Sequence, residues 1–384
     1  MKLGFLLRRL STEIMLIIRR MINLAYYLFW LVIDPSKFRI IRPNKIKSLL
    51  VIYGGATGDT YNLLGILNQL TIMYPKLNIF YLSHEKNKQF VKNPKIKLIN
   101  IIQARDLINA RKIQAVAILE NSHFLKKLYF NLLKVPYRIG CDFLSPSLIF
   151  QQPPALLTRK LFPYYHTGIK DWLNVFRTLG FKIEDEPKFY FTKQGELEAN
   201  KFLNEHNISK QEKLIFLHSG AGTISKALKE NKVPSHEWPI QNWISLANQL
   251  ITHHNARLIF TGSYAEKHYI NKIIKGIIHK RKVIDSSGNL FIETLASLMK
   301  KGSLLISIDT SLAHIGAQAG IPVIDLFGPY PPKLASPWTD KKTILFHPEV
   351  CNSCRGYACP EQNQICMKAI TPKEVLNAAK RFLI

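Results

Sequence analysis

Twice along the chain, a short apolar and β-branched run ends in a glycine-rich turn and passes straight into a helical pattern. The first instance is Ser48 to Tyr53 (SLLVIY), then Gly54-Gly55-Ala56-Thr57-Gly58-Asp59, then apolar spacing over about Thr60 to Met73. The second is Lys213 to His218, then His218-Ser219-Gly220-Ala221-Gly222-Thr223, with a helix over about Pro239 to His253. Strand, turn and helix in this order build a parallel sheet covered on both faces.

The alternation continues in each half. Strand-like runs recur at Leu77–Leu82, Lys97–Ile102 and Ala115–Leu119, and again at Arg257–Thr261, Lys282–Asp285, Leu304–Asp309 and Val323–Phe327. Helices are expected to begin near Ala265, Leu290 and Thr310, and a last one runs from Pro372 to Ile384. The fold class is therefore α/β: two Rossmann-like, doubly wound domains facing across a cleft, with ligands at the C-terminal ends of the strands. We assign 45–190 to an N-terminal Rossmann-like domain, 205–368 to a C-terminal Rossmann-like domain and 371–384 to a terminal helix. The charged, helical stretch 185–212 suits a linker between domains, and the Pro-rich stretch from Pro146 to Pro163 reads as a long loop.

Residues 1–34 precede this pattern. Leu3, Leu7, Leu10, Ile14, Ile17, Met21, Leu24, Leu28 and Leu31 share one helical stripe, and Arg8, Arg9, Arg19 and Arg20 lie off it. A bilayer span needs about 20 apolar residues, and the Arg pairs interrupt this one. The expectation is an amphipathic helix on an anionic membrane surface; the alternative is a helix packed on the protein's own body. The formal net charge of +27 favours anionic partners. No zinc-finger spacing with His and no aromatic RNP motif is present, so no nucleic-acid partner is expected.

Four segments carry groups suited to chemistry. Asp59 opens the first helix, where it either caps the helix or faces the ligand as a general base. Asp309-Thr310-Ser311-Leu312-Ala313-His314 closes a strand and opens a helix, whose free N–H groups suit a phosphate. Ser219, Gly220, Gly222 and Thr223 form a glycine-bearing turn able to nest an anion. Cys351, Cys354, Cys359 and Cys366, spaced C-x2-C-x4-C-x6-C, suit a tetrahedral structural zinc or a loop of free thiols.

These motifs, in this order, resemble the ADP-heptose:lipopolysaccharide heptosyltransferases of glycosyltransferase family 9. The segments that carry the resemblance are Gly58-Asp59, LHSGAG with Trp238-Pro239, DTSLAHIGAQAGIPVIDLFGP at 309–329, and the tail CMKAITPKEVLNAA. The resemblance implies a GT-B fold and an inverting, cofactor-independent transfer from a nucleotide-diphosphate heptose to a lipid-linked saccharide at the inner face of the cytoplasmic membrane. It implies Asp59 as general base, Asp309 on the donor sugar, the backbone of Thr310 to Ala313 on the diphosphate, and Glu266 on the nucleoside. One departure is plain: where relatives carry a Lys two residues before Trp-Pro, this chain has His236. Either phosphate binding keeps that imidazole charged, or Lys226, Lys229 or Lys232 substitutes, or the donor differs. A non-catalytic nucleotide-sugar or glycan-binding protein is the competing expectation.

Overall fold

In the second half, residues alternate in side as strands require, and both sides are apolar over most of their length. Ile215, Leu217, Leu258, Phe260, Leu304, Ile306, Ile308, Ile324 and Leu326 form one core with Trp243, Leu246, Leu250, Val375 and Leu376. Phe216, Leu305 and Val323 occupy the other face and are also fully buried. Burial on both sides is what a parallel sheet flanked by helices demands, and each such side chain contributes about 1.5–3 kcal/mol.

The computed structural model describes residues 46–55, 57–119, 127–128, 131–132, 134–140, 169–209, 211–220, 222, 227, 230–328, 331–351 and 357–383. The expected N-terminal helix, the Pro146 to Pro163 loop, Thr223, Lys226, Lys229 and Cys354 lie outside these. Two compact units result, one comprising residues up to 56 with Gln69–Asp185, the other Thr57–Asn68 with everything from Glu186 onward.

The first unit holds β1 (Ser48–Ile52), β2 (Asn78–Leu82), β3 (Ile96–Ile99), β4 (Ala115–Ile118) and β5 (Tyr137–Gly140), all parallel, in the order β3-β2-β1-β4-β5. Helix α1 (Thr57–Met73) follows β1, α2 (Ile101–Asn109) follows β3 and α3 (Ile169–Thr178) follows β5. Ile101 and Ile102, read from the sequence as strand, start α2 because Asn100 and Gln103 form a reciprocal capping box there.

The second unit opens with α4 (Lys193–Glu205), whose residues the sequence reading gave to a linker. Ala199 and Phe202 are buried, and a Cβ on Gly195 would stand 2.8 Å from the Glu293 carbonyl. That close approach packs α4 on α7. Apart from short helical turns, the elements that follow are β6 (Lys213–His218), α5 (Ile240–His254), β7 (Ala256–Phe260), α6 (Lys267–Lys275), β8 (Val283–Asp285), α7 (Ile292–Met299), β9 (Leu304–Ile308), α8 (Ser311–Ala319), β10 (Val323–Phe327), β11 (Lys342–Phe346) and α9 (Pro372–Lys380). The sheet is parallel throughout, in the order β11-β10-β9-β6-β7-β8. Order reverses about β6 and β9, so the ends of these two strands mark the switch point where such sheets take ligands. Trp238 fixes the chain's end by donating its indole N–H to the Ile370 carbonyl at 2.8 Å. No helix among the described residues is long and apolar enough to cross a membrane.

Candidate functional site

Helix α1 begins three residues earlier than its apolar spacing suggests, so Asp59 sits within the first turn and is not the cap. A carboxylate there is favoured by the helix dipole. Gly58 permits a close approach: a Cβ on it would lie 3.2 Å from His314 Cδ2, tighter than ordinary side-chain contact. One turn on, the Asn62 amide donates to His314 Nδ1 at 3.2 Å, and its oxygen accepts from Gln318 Nε2 at 3.4 Å. Gly65 lets the same helix run against Pro187 and Gln318, either of which a Cβ would strike. Asp59 and Asn62 are therefore held against the head of α8 within one compact unit.

Helix α8 starts with an extended Thr310 at its N-cap, and the Thr310 side chain accepts no cap bond from the helix. Its hydroxyl instead lies 3.2 Å from that of Ser307. The N–H groups of Ser311 and Leu312 are thus left at a positive helix end, an arrangement suited to an anion. Asp309, half-buried just before them, has its carboxyl pushed up to about 7 by burial and by the charge of Asp59. Near neutral pH the Asp309 carboxyl is therefore partly protonated. Burial and the charge of Lys342 push His314 down to about 4, so it is neutral.

The loops after β6 and β7 lie next along the sheet edge. His218 Nδ1 donates to the Thr261 carbonyl at 3.0 Å. Ser219 is fully buried, and its hydroxyl has no hydrogen-bond partner among the described residues. Glu266 is buried, and its Oε2 accepts from Ser263 N at 2.6 Å and Ser263 Oγ at 2.8 Å. Its other oxygen faces Gly220, where a Cβ would stand only 2.7 Å away. Ser219, Gly220 and Glu266 thus come together, whereas Gly222 is exposed.

His236 is buried, lies 2.8 Å from Ser235 Oγ through Nδ1, and is pushed by burial down to about 4. With no anion beside it, it is neutral. Lys232 is committed to Glu230 at 2.7 Å. The segment bearing His236 is held by the cysteine-bearing tail: Ser235 N donates to the Tyr357 carbonyl at 3.1 Å and Cys359 N to that of Val233 at 2.8 Å. Burial pushes the Cys366 thiol up, and nearby Cys351 and Cys359 add to it. Among the described residues no three His, Cys, Asp or Glu side chains gather as a metal site.

Asn62, Gln318, Ser263, Thr261 and Ser307 are site residues that the sequence reading did not single out. Only Ser263 carried a local signal, the S-x-x-E capping box with Glu266.

A doubly wound α/β unit that brings Asp59, Asp309, a helix N-terminus and a buried glutamate to its strand ends has the arrangement in which such sheets take ligands. Residues 155–365, more than half of the chain, match Glycosyltransferase family 9 (heptosyltransferase), and the chain belongs to that family. It is 26% identical over 185 residues to a lipooligosaccharide heptosyltransferase 2 of Campylobacter jejuni, a match covering 48% of this chain and 55% of that one. The match thus spans about half the length of the curated relative. In fold it resembles the glycosyl transferase family 9 structure from Veillonella parvula, with a TM-score of 0.69 and 19% identity, over 90% of this chain and 99% of that one. It likewise resembles the ADP-heptose lps heptosyltransferase II of E. coli, with a TM-score of 0.60 and 18% identity, over 88% and 98%. These likenesses bear out the expected α/β fold of GT-B type.

Proposed function

We propose that the protein is an inverting glycosyltransferase that moves a heptose from ADP-heptose to a lipid-linked lipopolysaccharide core acceptor. The observation that carries this reading is the coupling of Asp59 to Asp309 beside the N-terminus of α8. With Asp309 protonated, Asp59 is the ionised carboxylate of the two and takes the proton of the acceptor hydroxyl. The oxygen attacks the anomeric carbon from the face opposite the diphosphate. The bond from that carbon to the diphosphate oxygen breaks, and its electron pair leaves with the nucleotide. Backbone N–H groups from Thr310 to Ala313 receive the developing charge, while neutral His314 donates one more hydrogen bond. Protonated Asp309 contacts the donor sugar, and Glu266, with Ser219 and Gly220, the nucleoside. Charge stabilisation on this reading comes from the α8 backbone and uses no metal.

The acceptor side is proposed on charge. The net +27 suits phosphorylated or carboxylated saccharides at an anionic membrane, and the reading puts the enzyme peripherally on the inner face of the cytoplasmic membrane. Neutral, buried His236 favours the second reading, a nucleotide-sugar binding protein without turnover. A thermal-shift panel of nucleotides and nucleotide sugars tests the donor. Selective stabilisation by ADP and ADP-heptose is expected, a preference for UDP- or GDP-linked sugars replaces the donor, and no stabilisation by any of them counts against a transferase.

A further inference from the structure

Strand β10 reads Val-Ile-Asp-Leu-Phe, and the Asp is out of place in a strand covered on both sides. Asp325 is 1% exposed, and among the described residues no group meets either carboxyl oxygen in good hydrogen-bond geometry, the Leu326 N–H alone lying near enough to favour the charge. An ionised carboxylate in that position carries a large desolvation cost.

Register shows what the residue faces. Asp325 pairs with Ser307 on β9, and Ser307 pairs with His218 on β6. The three side chains form a polar row across the sheet, on the same face as Leu305. Helix α8 lies on that face, because a Cβ on Gly316 would stand 2.5 Å from Leu305 Cδ2. Ser307 in turn touches Thr310, the N-cap of α8. The Asp325 carboxyl is thus buried beneath the helix end to which the proposed function assigns the donor diphosphate.

The charged groups around it come from every neighbouring element. Asp309 approaches from the end of β9, with Asp59 of α1 beyond it. Lys342 reaches in from β11 and also acts on His314 of α8; His218 of β6 ends the row. Burial and Asp309 drive the Asp325 carboxyl well above the usual carboxylate range, against the opposing pull of Lys342. Lys342 itself is held at 2.6 Å by the Pro337 carbonyl. In its neutral form Asp325 is silent; in its ionised form it sets a poorly screened negative charge under an anion site.

We propose that Asp325 couples donor binding to its own protonation: the nucleotide diphosphate binds the form in which this carboxyl is neutral. The inference rests on the proposed placement of the donor at α8. Binding in the alkaline range then takes up a proton, and affinity falls as pH rises.

The test is calorimetric titration of the full chain with ADP from about pH 6 to about pH 9, in buffers of different ionisation enthalpy. Wild type, Asp325→Asn and Asp325→Ala are compared. The expected result is a loss of affinity in wild type approaching tenfold per pH unit at the alkaline end, with proton uptake. Both variants lose one proton's worth of that slope and of that uptake. Equal slopes in all three proteins would overturn the inference while leaving the transferase reading intact. Failure of wild type to bind ADP at any pH would overturn that reading, and the inference with it. Infrared spectroscopy of wild type alone keeps the test open if the variants do not fold. The carbonyl band of a protonated carboxylic acid should grow when ADP is added at alkaline pH, and an unchanged band would contradict the inference.

Discussion

Asn62 and His314 are 252 residues apart in the sequence, and the Asn62 amide donates to His314 Nδ1 at 3.2 Å. An imidazole that accepts at Nδ1 carries its proton on Nε2. Nε2 lies beside Gly58, where a Cβ would come within 3.6 Å of it. One amide thus sets both the tautomer and the aim of the ring at the head of α1.

Asn62→Leu removes that amide and leaves His314 Nδ1 and the Gln318 amide unsatisfied in a buried place. We expect a loss of about 2 kcal/mol in urea unfolding and a roughly tenfold weaker ADP affinity as the ring loses its orientation. Asn62→Asp puts a carboxylate against the ring, and the His314 pKa should then rise from about 4, read by NMR titration.

Gly220→Ala tests the nucleoside end. The added Cβ would stand 2.6 Å from Glu266 Cδ. Glu266 yields only by giving up its bonds to Ser263 N and Oγ. Nucleotide affinity should fall about tenfold or more, roughly the worth of one such charged bond, with unfolding temperature as the control for the fold.

Much of this was legible from local pattern. Lys213–His218 and Val323–Phe327 occupy the strands their apolar runs predict, and the helix after Leu304–Ile308 starts where the Thr310 position predicts it. Other features depended on partners far along the chain. Asn62 lies inside an apolar helix and shows its use only once α8 is packed on it. Helix α4 looked like linker because its surface is charged, while its buried stripe is only Gly195, Ala199 and Phe202. The neutrality of His236 is a consequence of burial, which one residue's identity does not reveal. Asp325 did carry a signal, a single acid in an otherwise apolar buried strand, hidden by reading VIDLF as core.

Stability should depend on pH through the two raised carboxyls. Asp309 is shifted up to about 7 and Asp325 also upward. Unfolded, each titrates near 3.9. Between its two values Asp309 binds more protons folded than unfolded, so it stabilises fully below about pH 4 and loses that contribution as pH rises through about 7, and Asp325 acts in the same sense. Glu212, held low by Lys282 and Ser209 against its own burial, acts in the opposite sense at lower pH. Asp309→Asn should retain about 2 kcal/mol more of its stability than wild type between about pH 5 and about pH 7, measured by urea unfolding at each pH.

The most direct test of the account is heptose transfer from ADP-heptose to a lipid-linked core acceptor by wild type and Asp59→Ala, with ADP affinity measured in parallel. If Asp59 is the base, kcat falls about 10²–10⁴-fold while ADP still binds at least as tightly, since a negative charge has left the site. Turnover in Asp59→Ala within about threefold of wild type, far less than a general base contributes, would contradict the account.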